Sequence, residues 1–82
     1  MLSDKQRQAV CSQLRKILRQ TREKRGLSMT VLGERAGLSQ QAVSYVERGM
    51  RIPNLDTLLR IASALETNLA DLLKEAQNAA NK

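Results

Sequence analysis

Gln40 and Gln41 stand side by side near the front of a segment that reads GLSQQAVSYVERG (residues 37–49), with Ser44 and Tyr45 about one helical turn further on. A carboxamide carries a donor and an acceptor on one rigid plane, so it can engage a partner that offers the complementary pair side by side. The chemistry such residues support is hydrogen-bonded recognition. Catalysis has much less to work with. The 82-residue chain has no histidine, and it shows no Gly-rich phosphate loop, acid pair or metal cluster with the spacing of an active site. Its one cysteine, Cys11, excludes an internal disulfide and leaves no set of ligands for a structural zinc. That thiol is expected to be inert, on the inner face of a helix. The chain is thus not expected to be an enzyme or to need a cofactor or metal.

Eighty-two residues suffice for one small domain and not for two independently stable cores. Tyr45 is the only aromatic residue, and the apolar content is mainly Leu, Ala, Val and Ile, which favours packed helices over sheets. The expected fold class is all-α. No apolar run approaches the ~20 residues of a membrane span. The start, MLSDKQRQAV, lacks the apolar core of a signal peptide, so a cytoplasmic protein with no membrane partner is expected. The formal charge of +6 is unevenly placed: residues 1–25 hold eight basic groups against Asp4 and Glu23, while residues 26–82 hold six of each sign. A polyanion would suit that block, although a solvated helix face would give the same count.

Five helices are written in their caps. Ser3 with Gln6 has the spacing of a capping box, and Val10, Leu14, Ile17, Leu18 and Thr21 recur at helical spacing, giving a first helix over about residues 4–25. Ser28 caps a second helix of about two turns that ends at Gly37. Ser39 caps a third, with Ala42, Val43 and Val46 inward and Gly49 beyond its end. Asn54 caps LDTLLRIASAL, which is too broadly apolar for a surface helix and should be the most buried of the five. Asn68, with Asp71 three residues on, starts a last helix through Leu69, Leu72, Leu73 and Ala76, after which residues 77–82 should fray. A single domain over residues 1–82, with its core over about 10–76, is the expected organisation.

The second and third helices, joined by AGLS, have the form of a helix-turn-helix, and Gly33 within the second supports close approach of a neighbour. In such a unit the second helix lays its N-terminal residues along base edges in the major groove. A glutamine amide matches N7 and N6 of adenine. Gln40 and Gln41 are therefore placed to read bases, with wet-surface glutamines as the plainer alternative.

From Leu14 to Leu73 the chain resembles the lambda-repressor-like, XRE-type helix-turn-helix domain, above all in RGLS, AGLSQQAVSYVERG and PNLDTLLRIASAL. The resemblance implies a compact five-helix bundle, a homodimer bound to a double-stranded DNA operator, and base-facing positions at Gln40, Gln41, Ser44 and Tyr45. It also implies phosphate contacts at Ser28, Ser39, Arg48 and Arg51, and a structural charge pair between Arg22 and Glu47. The C-terminal end of the first helix, near Arg22 to Arg25, is implied to lie closer to DNA than Lys5 or Arg7. The sequence departs from the pattern in three places. Met29 replaces a glutamine that binds phosphate and braces the first reading residue. Met50 replaces a polar residue, and Glu66 replaces a glycine, which implies a slightly strained turn.

The expected function is a sequence-specific transcriptional regulator, a homodimeric repressor reading the major groove with its third helix. With no separate sensor domain expected, occupancy would follow protein concentration, partner proteins or proteolysis. The alternatives are an antitoxin that binds a toxin and represses its own operon, and a restriction-modification controller. A toxin or RNA polymerase is the candidate protein partner. Leu69, Leu73, Ala76, Ala79 and Ala80 fit either a dimer surface or the chain's own core.

Overall fold

The computed structural model describes residues 1–50 and 52–81. Among these residues there are five helices and no strand: α1 (Asp4–Lys24), α2 (Met29–Ala36), α3 (Gln40–Arg48), α4 (Leu55–Ala64) and α5 (Leu69–Ala80). Each starts at a residue whose side-chain oxygen accepts a hydrogen bond from a backbone N–H in the first turn: Ser3, Ser28, Ser39, Asn54 and Asn68. Such a cap contributes about 1 kcal/mol by satisfying a donor the helix itself cannot. At Ser3 the box is complete, since Gln6 Oε1 accepts from the Ser3 N–H at 2.9 Å. Asn68 caps through the N–H of Ala70 rather than that of Asp71.

The core is built around Leu18, Leu32, Val43, Ile61 and Leu65, all almost wholly shielded from solvent. Helix α1 packs along α5 and against α3, while α2 packs against α3 and α4. Two turns past α1 meet different demands. Gly37 ends α2 with φ +72°, the left-handed geometry that reverses the chain before α3. Glu66 carries φ +58° in the turn between α4 and α5, where a side chain is strained. Arg25 Nη1 donates to Glu66 Oε2 at 3.3 Å across that turn.

Two expectations are overturned. Helix α4 is not the most buried: Ile61 and Ala62 are its buried residues, whereas Leu55 and Leu59 are 64% and 51% exposed. Leu58, Ile61, Ala62 and Leu65 share one stripe at helical spacing, and Leu55 and Leu59 fall beside it, where the other described elements leave them more than half exposed. Cys11 is exposed rather than inward. It lies on the same side of α1 as Leu18 but two turns earlier, in an open hollow lined by Arg7, Gln8, Arg15 and Ile52. Helix α5 runs on past Ala76 to Ala80, with Ala79 and Ala80 half-buried.

Candidate nucleic-acid interface

The angle between α2 and α3 is set by backbone contact. Leu38 N–H donates to Gly33 O at 2.7 Å. A Cβ on Gly33 would sit 2.6 Å from Leu38 O, so no side chain fits there without moving the turn. The close neighbour expected at Gly33 is therefore the turn itself and the start of α3.

On α3, Val43 and Val46 are buried, which turns the opposite side outward. Gln40 and Gln41 are exposed in the first turn, Ser44 and Tyr45 are half-buried, and Arg48 is exposed in the last turn. Gln41 Nε2 donates to Tyr45 Oη at 2.6 Å, an i,i+4 pair that orients the amide. Gln40 Nε2 lies 3.9 Å from Met29 Sδ. Met29 thus still abuts the first amide, but through a thioether, a much weaker acceptor than an amide oxygen.

Ser28 and Ser39 sit at the N-termini of α2 and α3, accepting from Val31 N–H at 3.1 Å and Ala42 N–H at 3.0 Å. A hydroxyl used as an acceptor keeps its own O–H, and it does so here at the positive end of a helix, where an anion is favoured. Arg51 lies outside the described residues.

Arg22 holds α3 from beneath. Its Nε donates to Glu47 Oε2 at 2.7 Å and its Nη2 to Glu47 Oε1 at 3.0 Å, while Nη1 donates to Leu27 O at 2.8 Å. The two side chains are 10% and 3% exposed, so this fork joins α1, the loop after it and α3 in a nearly dry setting. The hydrogen bonds to Glu47 hold the Arg22 guanidinium above its ordinary range, against burial, which acts in the opposite sense. A raised pKa places loss of the cation's contribution at still higher pH, so it is fully present through neutral pH.

Several basic residues at the end of α1 and just past it are paired with carboxylates. Arg22 is committed to Glu47, Arg25 to Glu66 at 3.3 Å and Arg19 to Glu23 at 3.7 Å, so the end of α1 offers less unpaired charge than its sequence. Lys24, Lys16 and Lys5 form no ion pair with any described residue. One residue had no role assigned from sequence: Arg15, whose guanidinium lies against the end of α3, only 2.6 Å from where a Cβ on Gly49 would be. A cation there complements the carbonyls at that helix end. Nothing local marks it, because Arg15 and Gly49 are far apart in the chain. Among the described residues no group of His, Cys, Asp or Glu is arranged to hold a metal, and no helix is long and apolar enough to cross a membrane.

A family model described as helix-turn-helix matches residues 18–72, from the middle of α1 into α5. The chain belongs to the helix-turn-helix family. Its relatives include an HTH-type transcriptional regulator of Mycobacterium tuberculosis, 45% identical over 51 residues, which are 62% of this chain and 36% of that protein. The chain therefore spans about a third of that relative's length. An HTH-type transcriptional regulator of Sinorhizobium fredii is 38% identical over 52 residues, 63% of this chain and 68% of that protein. Among solved helix-turn-helix structures, the clp gene regulator ClgR from C. glutamicum superposes with a TM-score of 0.77 at 28% identity, covering 85% of this chain and 91% of that one. The restriction-modification controller C.AhdI from Aeromonas hydrophila gives 0.72 at 34% identity, covering 76% and 94%. These similarities agree with the five-helix architecture and with α2 and α3 as the helix-turn-helix.

Proposed function

We propose that this helix-turn-helix protein is a sequence-specific DNA-binding transcriptional regulator, a homodimeric repressor that inserts α3 into the major groove. The observation that carries the reading is the first turn of α3. There two exposed amides project from a helix whose opposite side is locked by buried valines, by the Arg22–Glu47 fork and by the tight turn at Gly33. Preorganised amides are what bidentate base contacts require. Ser44 and Tyr45 extend the same surface, and Ser28, Ser39, Arg48 and Arg51 are the proposed phosphate contacts, which position the helix without reading sequence.

Selection of bound duplexes from a random DNA pool, with the winner titrated across salt against a scrambled duplex, tests this. The expected product is a palindrome with half-sites about one turn, roughly 34 Å, apart. Enrichment of no sequence, with only salt-labile binding, would sink it. The similarity to C.AhdI favours a restriction-modification controller as a second reading. Genes for a methyltransferase and an endonuclease beside this one would decide for it.

A further inference from the structure

Helix α3 is anchored unevenly along its length. At its start Leu38 N–H meets Gly33 O at 2.7 Å, and further on Val43 and Val46 are buried and Glu47 is held in the Arg22 fork. Past Glu47 the apolar anchors give out, since Met50 is 58% and Ile52 94% exposed. What meets the chain there is Arg15, half-buried on α1, whose Cζ and Nε each lie 2.6 Å from where a Cβ on Gly49 would be. We propose that Arg15 is a positioning residue for DNA binding, bracing the C-terminal end of α3 by lying across Gly49. The proposal rests on the reading of α3 as the DNA-reading helix and adds to it a residue that acts through that helix.

Arg15 and Arg22 are seven residues apart, which puts them on one side of α1, and they meet Gly49 and Glu47, two residues apart at the end of α3. One arginine grips a side chain, and the other lies over backbone. The end of α3 suits a cation. Gly49 N–H donates to Val46 O at 3.3 Å and Met50 N–H to Tyr45 O at 3.0 Å, whereas the carbonyls of Glu47 and Arg48 accept from no backbone N–H of a described residue. They form the negative end of the helix. Arg15 makes no ion pair with a described residue that would draw it elsewhere. Its planar guanidinium can lie flat against a residue that lacks a side chain, in a way a lysine ammonium cannot.

Glycine at position 49 thus serves two ends: it takes φ +70°, and it leaves room for Arg15. The atoms a Cβ would meet are the far end of a flexible side chain, so a substitution there moves the guanidinium rather than the helix. Tyr45 and Arg48 lie towards this end of α3, whereas Gln40 and Gln41 lie at the end set by Gly33. The two ends of the reading helix are therefore fixed by different contacts, and Arg15 supplies the one at the Arg48 end.

The test measures affinity of the whole chain for the selected duplex across salt, per folded molecule, for the wild type, Arg15→Met, Arg15→Lys, Gly49→Asn and the double variant of Arg15→Met with Gly49→Asn. Asparagine tolerates the left-handed backbone, and its Cβ displaces the guanidinium without removing the charge. Arg15→Lys keeps the charge and loses the plane. Each single variant should bind about tenfold more weakly, and the double variant no more weakly than the singles, because two changes to one contact do not add. Wild-type affinity in Arg15→Lys, with a salt slope lowered by about one in Arg15→Met, would make Arg15 a phosphate ligand and overturn the brace. Unchanged affinity in Arg15→Met and Gly49→Asn, or a loss of about a hundredfold in the double variant, would overturn it too. Hydrogen exchange needs no DNA: the Gly49 and Met50 amides should exchange faster in Arg15→Met while those of Val43 and Val46 keep their protection, and unchanged rates at Gly49 and Met50 would overturn the brace. If the wild type enriches no duplex, the regulator reading fails and exchange alone decides the brace. If a duplex is enriched and the variants match the wild type in affinity and exchange, the brace fails and the regulator reading stands.

Discussion

An amide discriminates between bases only when its donor and acceptor ends are held apart in a known orientation, and the two glutamines of α3 are held to different degrees. Gln41 donates to Tyr45 at 2.6 Å, whereas Gln40 meets only the sulfur of Met29 at 3.9 Å. Gln40→Ala and Gln41→Ala should each relax base preference by about 1–3 kcal/mol at particular positions of the selected site, read by competition with singly substituted duplexes. Equal weakening on every sequence would remove their base-reading role. Arg48→Ala should instead weaken all sequences alike and lower the slope of log affinity against log salt by about one. The Arg22–Glu47 fork is read through stability. Removing one partner leaves the other buried and unpaired, so Glu47→Ala should cost about 3 kcal/mol in urea unfolding. Replacing both by leucines should recover much of that loss, because the cost lies mainly in the orphaned charge.

At the scale of elements, the turn between α2 and α3 depends on the missing side chain at Gly33. Alanine is the better helix former by about 1 kcal/mol, yet its Cβ would meet the Leu38 carbonyl at 2.6 Å. Steric cost should win, since the obstacle is backbone and cannot rotate away. Gly33→Ala is therefore expected to destabilise the chain by about 1–3 kcal/mol in chemical denaturation. It should also weaken DNA binding beyond what the unfolded fraction explains, because α3 is re-aimed. A neutral or stabilising result would mean that the turn is more adaptable than this geometry allows.

For the whole molecule, charge is segregated along the chain: residues 1–50 carry ten basic groups against four acidic ones, whereas residues 51–82 hold four of each sign. DNA binding should weaken steeply as salt rises, because counterions released from phosphate drive it. Titration of DNA over a range of salt concentrations would check this, and an affinity independent of salt would contradict it.

Short-range physics made much of the architecture legible in the sequence. A cap or a left-handed glycine acts over about four residues, so Ser3, Ser28, Ser39 and Asn54 mark helix starts, and Gly37 and Gly49 mark ends, without knowledge of the rest. Periodicity likewise turned Val43 and Val46 inward and the two glutamines outward. It could assign a side to a residue but not the presence of a neighbour on that side. Cys11 shares the side of Leu18 yet is exposed, Leu55 and Leu59 are apolar yet uncovered, and α5 continues past Ala76 beside α1. Arg15 reaches Gly49 only because α1 passes the end of α3. Which residues are covered, and which cation meets which helix end, depends on where distant elements stop and cross, and the tertiary structure alone decided that.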